Sequence, residues 1–351
     1  MTLASELELG ARLASRLGAK GLPKLLPGAD LGPLLAERAR AHLAWDRIEE
    51  ALRTCSALAQ REGLLLVPLK FAAQQVRGES APGLRSAGDL DLLVPENQLE
   101  AWLSALPKAG WEPVRKSRES HEAGVFLHPL SGPLDLHRNL PGVGLNGKPY
   151  LTFENLRSAG LLEAPPAPWP ACLKLPARAV TLAHSLVHGF CQHQGAFHRY
   201  APFRFLADAV DISRWSTTED WRLARELTSP SLSGIDFDAL WELLSTLTAG
   251  QLPEAESHAG LWLQHLVAGA FDTDYQQRLL RESLLTLPPG AQPLRFFWLR
   301  LWRAFWPDRA RLEAELRSDS GSLSRTRRRL RHWRLLVLKL LGSPPGGNSG
   351  S

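Results

Sequence analysis

The sequence has few cysteines and no long apolar segment, and these two absences narrow the class of protein. Its 351 residues include three cysteines, an odd number without Cys-X-X-Cys spacing, so the sequence indicates neither a disulfide framework nor a zinc knuckle. No stretch approaches the roughly twenty consecutive apolar residues of a membrane-spanning helix. Two glutamates within the first eight residues stand where a secretory signal would be basic or apolar. We therefore expect a cytoplasmic protein.

Acidic residues are absent from one segment near the C-terminus, and that segment carries the positive charge of the chain. Seven arginines and lysines lie between Arg325 and Lys339, whereas the net charge of the whole sequence is +5. As a helix, this basic segment would have an apolar stripe beside its arginines. Three interpretations follow: docking on the body of the protein, contact with an anionic membrane surface, and contact with a nucleic acid such as RNA.

Prolines and hydrophobic periodicity divide the rest of the chain. Four prolines fall between Ala164 and Pro170, a segment that can continue neither a helix nor a central strand. Helical and strand patterns alternate before it, and the periodicity after it is almost entirely helical. The predicted fold class is α+β, a small mixed sheet with flanking helices followed by an all-helical domain. The predicted divisions are a helical extension over 1–37, a mixed α/β domain over 38–163, a helical domain over 171–341 and a disordered tail over 342–351.

Periodicity also predicts the individual elements. In the mixed domain, we expect helices over 38–63, 71–76 and 96–106, and strands over 63–70, 111–114, 121–127 and 133–137. Beyond the prolines, we expect helices over 178–190, 203–214, 238–248, 258–269, 275–285, 294–305 and 324–341. No internal repeat of the solenoid type is visible in the sequence.

Two aspartates stand one residue apart in the apolar run Gly88–Val94 (GDLDLLV). Side chains alternate between the faces of a strand, so Asp89 and Asp91 are predicted to project from the same face. Neighbouring carboxylates repel each other, and one would take up a proton, whereas a hard cation such as Mg²⁺ keeps both ionised. The pair therefore predicts a metal site. The alternative is a strand end with a solvated face.

A third carboxylate, Asp135, lies in the similar run Leu134–His137 (LDLH). A strand there can pair beside the first strand and direct Asp135 to the same point. Three acids converging from two strands are typical of phosphoryl-transfer sites that bind two metal ions. His137, two residues further on, would point the same way, and we interpret it as a hydrogen-bonded strand histidine rather than a catalytic residue.

These motifs resemble an uncharacterised nucleotidyltransferase family of the DNA polymerase beta-like superfamily. The resemblance rests on Leu69-Lys70 at the end of a strand, on Arg85–Val94 (RSAGDLDLLV), and on Leu134–His137, in that order. It covers about residues 40 to 215, and the middle motif is its most specific part. It implies a nucleotidyltransferase core accompanied by helices.

The resemblance also implies an activity and a role for each matching residue. The activity is transfer of a nucleoside monophosphate from a nucleoside triphosphate such as ATP to a hydroxyl on a protein, peptide, sugar or antibiotic. Asp89, Asp91 and Asp135 would bind Mg²⁺, and Asp135 would take the proton of the attacking hydroxyl. Lys70 and Arg85 would contact phosphate oxygens, or Arg85 would brace the acidic cluster. The structural alternatives are a surface lysine and a loop arginine paired with Glu79.

One departure from the family pattern is Phe71, where the family usually has glycine. A glycine lets backbone N–H groups approach phosphates closely, and phenylalanine fills that space. Two alternatives to the enzyme therefore stay open. One is a catalytically weak or inactive binding protein with the same fold, and the other is an RNA-modifying nucleotidyltransferase that uses the basic segment.

Two histidines form a further candidate site. His184 and His188 stand four residues apart on a predicted helix, and Asp208 or Asp211 is available as a third metal ligand. The chain has no adjacent His-Asp pair, which argues against a histidine-aspartate phosphohydrolase. The other interpretation is that these are buried histidines bonded to Asp208.

Overall fold

A computed structural model describes most of the N-terminal two thirds of the chain. It describes residues 11–12, 14–16, 30–80, 83–85, 87–116, 121–146, 148–192, 202–228 and 237–271. Most of the predicted N-terminal extension lies outside these residues. So do the helices predicted over 275–285, 294–305 and 324–341, the basic segment and the predicted disordered tail.

The sheet and its helices follow one another in the first half of the chain. These elements are α1 (Gly32–Glu62), β1 (Val67–Pro68), α2 (Lys70–Arg77), β2 (Leu90–Leu93), a 3₁₀ turn (Glu96–Gln98), α3 (Leu99–Lys108), β3 (Glu112–Lys116), β4 (Glu122–His128), β5 (Gly132–His137), β6 (Asn139–Leu145), β7 (Lys148–Thr152), α4 (Phe153–Ser158) and β8 (Leu162–Glu163). Helices dominate the second half, which contains β9 (Leu175–Pro176), α5 (Arg178–Leu186), a π-helix (Val187–Gln192), α6 (Pro202–Ser213), α7 (Thr218–Thr228), α8 (Phe237–Thr248) and α9 (His258–Phe271).

The main sheet is mixed and has five strands in the order β1-β2-β5-β4-β3. The central pair, β2 and β5, is parallel, and the other neighbours are antiparallel. β6 pairs with β7, and β8 with β9, as separate two-stranded sheets. The prediction of an α+β fold with a helical C-terminal region is confirmed.

Successive side chains of β2 and β5 point to opposite faces of the main sheet, so that leucine and aspartate neighbours lie on different faces. The leucines at 90, 92, 134 and 136 pack in one buried cluster with α1 and α3. Leu93 instead belongs to a second cluster, which contains residues of α5 to α9. Asp91, between two inward leucines, therefore faces the C-terminal helices. The fold of the sheet thus brings its polar positions to the side that the later helices cover.

Several element boundaries differ from the prediction. α1 begins six residues earlier than expected, at Gly32, and ends where Gly63 adopts a left-handed φ of +68°. The strand expected over 63–70 shortens to β1, because Pro68 has no N–H to extend the ladder. Pro107 lies in the last turn of α3 rather than after its end.

The hairpin β6–β7 and helices α4 and α7 were not predicted. Gly142, within β6, has a φ of +79°, and a Cβ there would lie 2.6 Å from Val187. Its glycine and proline content makes β6 resemble a loop in sequence. Helix α7 is short and rich in charged residues, and only four of its eleven residues are apolar.

The proline-rich segment 164–170 contains no helix or strand, but the strands before and after it pair with each other. β8 before it pairs with β9 after it, and Leu66 forms a bridge with Leu173. The second buried cluster combines Val67 and Leu93 of the sheet with residues of the later helices. The helices therefore pack directly on the sheet, and the division into two domains stays a prediction.

Among the described residues, no helix combines the length and the apolar composition that crossing a bilayer requires.

Candidate active site

Two carboxylates meet across the parallel strands at the centre of the sheet. The register of β2 and β5 places Asp91 opposite Asp135. Both side chains line a cleft of about 620 Å³ between the sheet and helices α5 and α6. One ligand atom each of Asp91, Asp135 and His137 lies within 4.8 Å of the others. In the part of the chain that the structure describes, this is the one group of three metal-ligating side chains close enough to share an ion.

Asp89 lies in the same cleft but outside that close group. It precedes β2, at the point where the chain enters the sheet. Burial and the neighbouring Asp91 charge raise the pKa of the Asp89 carboxyl, against the opposing effects of Lys70 and Arg85. The structure thus gathers all three predicted acids at one cleft and brings two of them into direct proximity.

Lys70 supplies a positive charge at the acidic group. Its Nζ donates a hydrogen bond of 2.9 Å to Asp91 Oδ1, and its side chain is 19% exposed. The residue begins α2 with a φ of +53°, a left-handed conformation that costs a non-glycine residue about 1–2 kcal/mol. The fold therefore holds Lys70 in a strained conformation at the cleft, paired with an acid, rather than on open surface.

The two paired carboxylates differ in their ionisation. Burial alone would raise the pKa of Asp91, but Lys70 and His137 outweigh it and hold that pKa well below its usual range. Burial, together with the charges of Asp91 and Asp89, raises the pKa of Asp135 to about 6. Asp91 is therefore an anion at all physiological pH values, whereas an ionised Asp135 is destabilised by its acidic neighbours.

We expect Asp135→Asn to raise the thermal stability of the metal-free protein near neutral pH. The pKa of Asp135 is higher in the folded than in the unfolded chain, so its favourable contribution is complete below about pH 4 and is lost as pH rises through about 6. Because Asp135 is part-exposed, we expect a gain of about 1 kcal/mol, or roughly 2–4 °C in Tm.

Thermal unfolding in EDTA, with the wild type and the variant compared at pH 5 and pH 7.5, measures this effect. The advantage of the variant should shrink at the lower pH, where Asp135 of the wild type is protonated. Adding Mg²⁺ should stabilise the wild type more than the variant. An equal Tm for both proteins at pH 7.5 in EDTA would contradict the expectation that ionised Asp135 destabilises the folded protein.

Histidines also line the cleft. His137 Nε2 lies 2.9 Å from Asp91 Oδ1, and the ring of His121 stacks on His137 with centroids 5.7 Å apart. Burial, then the charge of His137, lowers the pKa of His121 to about 4. Burial, then the charge of Lys70, lowers the pKa of His184 to about 3. His121 and His184 are therefore neutral at physiological pH.

Sequence analysis placed His137 on the correct face but did not include it in the site. The available signal was its spacing, two residues beyond Asp135 on the same strand. Its direct contact with Asp91 depends on the register between β2 and β5, which the sequence does not state. His121 lies just before β4 and His184 lies on α5, so only the fold brings them together at the cleft.

Arg85 is buried at the far end of the cleft, beside Asp208 of α6. Its Nε lies 3.4 Å from Asp208 Oδ2, and its guanidinium lies over the ring of Phe71 at 4.9 Å. Glu79, the partner considered for Arg85, instead accepts a 2.6 Å hydrogen bond from Arg178. The structure therefore links Arg85 to the helical region rather than to its own loop.

Phe71 occupies the hydrophobic core more than the open cleft. It is 2% exposed and makes an edge-to-face contact with Trp45, with centroids 6.0 Å apart. Its ring supports the guanidinium of Arg85 from below by a cation–π contact. Phe71 thus places an aromatic ring under a buried cation.

Asp208, considered as a third metal ligand beside His184 and His188, instead pairs with arginines. Its carboxylate contacts Arg12 and Arg85, and Arg12 Nε also donates to Asp211 at 3.1 Å. Burial would raise the pKa of Asp208, but Arg85 and Arg12 outweigh it and lower that pKa. The rings of His184 and His188 meet edge to face at 5.8 Å. Within the described residues, these histidines and Asp208 do not form a metal-ligating group.

Residues 1–231, about two thirds of the chain, match the profile of a protein family described as "Uncharacterised nucleotidyltransferase". A search of curated proteins gave no match. The matched segment includes every residue of the cleft described above.

Proposed function

The chain belongs to the uncharacterised nucleotidyltransferase family, and on this premise we propose that it is a Mg²⁺-dependent enzyme. The reaction is transfer of a nucleoside monophosphate from a nucleoside triphosphate to a hydroxyl on a protein, a peptide or a small molecule. The observation that carries the proposal is the register that sets Asp91 opposite Asp135 on two parallel strands, at the wall of a cleft. Its volume of about 620 Å³ is in the range of small-molecule sites.

The donor set of the cleft fits a divalent cation. Asp91 and Asp135 offer oxygen ligands close together, and Asp89 adds a third carboxylate at the same cleft. Burial, then the charges of Asp91 and Asp89, raises the pKa of Asp135, and a cation bound between these carboxylates would favour their ionised forms. When bound there, divalent ions would polarise the phosphates and neutralise the charge that develops during transfer.

The protein groups would divide the remaining tasks. Asp135, the less buried of the paired acids, would accept the proton of the acceptor hydroxyl. The hydroxyl oxygen forms a bond to the α-phosphorus, the bond from that phosphorus to the bridging oxygen breaks, and pyrophosphate leaves. Lys70 and Arg85 would stabilise negative charge on the phosphates. Lys70 is already held at the acidic group by its hydrogen bond to Asp91.

The rival interpretation is an inactive binding protein with the same fold. Phe71 motivated this alternative, but its buried ring leaves the cleft open and supports Arg85. The RNA-modifying alternative depends on the basic segment Arg325–Lys339, which lies outside the described residues.

We expect the full chain to transfer label from an α-³²P nucleoside triphosphate to an acceptor in a cell extract when Mg²⁺ is present. Each of the four triphosphates is tested separately, and products are separated by gel electrophoresis and thin-layer chromatography. Transfer should stop when EDTA is added. The thermal stability of the protein is measured in parallel with Mg²⁺ and each triphosphate. A thermal shift without any transfer would favour the binding protein, and the absence of both would reject the proposal.

A further inference from the structure

His137 adds a nitrogen donor to the acidic group, whereas Mg²⁺ in proteins is bound mainly by oxygen ligands. It lies at the end of β5 on the same face as Asp135, and its side chain is buried. Its Nε2 is 2.9 Å from Asp91 Oδ1, and one ligand atom each of His137, Asp91 and Asp135 lies within 4.8 Å of the others. A nitrogen donor is therefore part of the acidic group itself.

The separation between His137 and Asp91 agrees with the geometry of a single octahedral cation. Bonds of about 2.1 Å place adjacent ligand atoms about 3.0 Å apart and opposite ligand atoms about 4.2 Å apart. The 2.9 Å between His137 Nε2 and Asp91 Oδ1 is close to one edge of such an octahedron. Both atoms can contact one ion with little movement when the imidazole carries its proton on Nδ1.

The surroundings keep His137 fixed in that position. The ring of His121 stacks on it at an interplanar angle of 30°, and β5 is paired on both sides, with β2 and with β4. Lys70 Nζ lies 2.9 Å from the same Asp91 oxygen and neutralises that carboxylate from another direction. A ligand held by stacking and by a central strand is prepared for binding before the ion arrives.

Building on the proposed function, we propose that His137 is a direct metal ligand and that the site prefers Mn²⁺ to Mg²⁺. Mg²⁺ favours oxygen donors and retains its waters, whereas first-row transition metals accept imidazole nitrogen. Two carboxylates keep the donor set hard enough for Mn²⁺, which shares their oxygen preference. Asp91, Asp135 and His137 all line the cleft, so substrate phosphates bound there would be able to complete the coordination of the ion.

Direct binding of Mn²⁺ to the full chain tests this proposal without any assay of activity. The protein is freed of metal with EDTA and dialysed, and the loss of the free Mn²⁺ electron paramagnetic resonance signal measures binding. Mg²⁺ is then added as a competitor. We expect wild-type protein to bind Mn²⁺ at least about tenfold more tightly than Mg²⁺. His137→Asn should weaken Mn²⁺ binding by about tenfold or more, and Mg²⁺ binding by much less.

The matched control is His128→Asn, a histidine at the end of the neighbouring strand β4 that packs on Trp111. This variant should bind Mn²⁺ like the wild type. Electron spin echo modulation distinguishes a ligand from a residue with only a structural role, because directly bound imidazole gives ¹⁴N modulation of the Mn²⁺ signal. Wild-type protein should show that modulation, and His137→Asn should lose it.

Two outcomes would overturn the proposed role of His137 without affecting the proposed function. Mn²⁺ bound without ¹⁴N modulation would mean that carboxylates alone hold the ion. An unchanged preference for Mn²⁺ in His137→Asn would mean that the histidine does not set it. In either case, nucleotidyl transfer with Mg²⁺ would still support the enzyme, whereas the absence of both metal binding and transfer would reject both proposals.

Discussion

Replacing Asp91 with asparagine should abolish nucleotidyl transfer, and the variant should also be less stable than the wild type because it breaks the buried ion pair with Lys70. Asp91 is the acid that contacts both Lys70 and His137 and stands opposite Asp135 in the sheet. Its amide replacement keeps the shape but removes the charge that would hold a divalent ion. Several kcal/mol of transition-state stabilisation depend on such ions, and each 1.36 kcal/mol is a factor of ten in rate, so we expect a loss of at least about 10³-fold.

The measurement is the initial rate of label transfer at saturating Mg²⁺ and triphosphate, with circular dichroism to confirm the fold. Asp46→Asn is the matched control, since Asp46 is an exposed aspartate on α1. That control should transfer label at the wild-type rate. Turnover by Asp91→Asn within about tenfold of the wild type would reject the assignment of Asp91 as a metal ligand.

Local patterns predicted the strand face that carries Asp91 and Asp135, but not that Asp89 precedes β2 and lies outside their close group. The alternation of leucine and aspartate in Leu90–Leu92 and Leu134–Leu136 was sufficient to place Asp91 and Asp135 on one face of their strands. Both strands are short and buried, so a register that moved either aspartate into the leucine cluster would leave a charge in the core. Pattern and register therefore lead to the same arrangement.

Long-range pairs could not be read from the sequence. Arg85 pairs with Asp208, 123 positions later in the chain, and Arg12 reaches the same carboxylate from still further away. No spacing rule links such residues, because their proximity results from the packing of α6 on the sheet. The left-handed φ of Lys70 was equally invisible, since lysine rarely adopts it and the surrounding fold imposes it.

The second large effect concerns Asp208, and we expect Asp208→Asn to destabilise the folded protein strongly. Arg12 and Arg85 are both buried, and Asp208 is the carboxylate that they share. Removing one partner of a buried ion pair leaves uncompensated charge and typically costs 3–5 kcal/mol. Arg12 keeps its hydrogen bond to Asp211, so we expect the lower end of that range, about 3 kcal/mol.

The free energy of unfolding in urea, measured for each protein, gives the size of this effect. Asp238→Asn is the control, because Asp238 also pairs with an arginine, Arg225 at 3.2 Å, but its side chain is 92% exposed. A surface pair of this kind contributes at most about 1 kcal/mol, so the control should remain close to the wild type.

A double variant separates the ion pair from its surroundings. If uncompensated charge is the cause, Arg12→Met should recover part of the stability lost in Asp208→Asn, because it removes one of the two buried cations that Asp208 neutralised, while Asp211 keeps its ion pair with Arg16. Equal losses for Asp208→Asn and Asp238→Asn would show that burial does not strengthen the pair.

Asp208 also pairs with Arg85 at the cleft. Asp208→Asn should therefore raise the KM for nucleoside triphosphate at temperatures where the variant remains folded. We therefore expect stability and triphosphate binding to change together when this carboxylate on α6 is replaced.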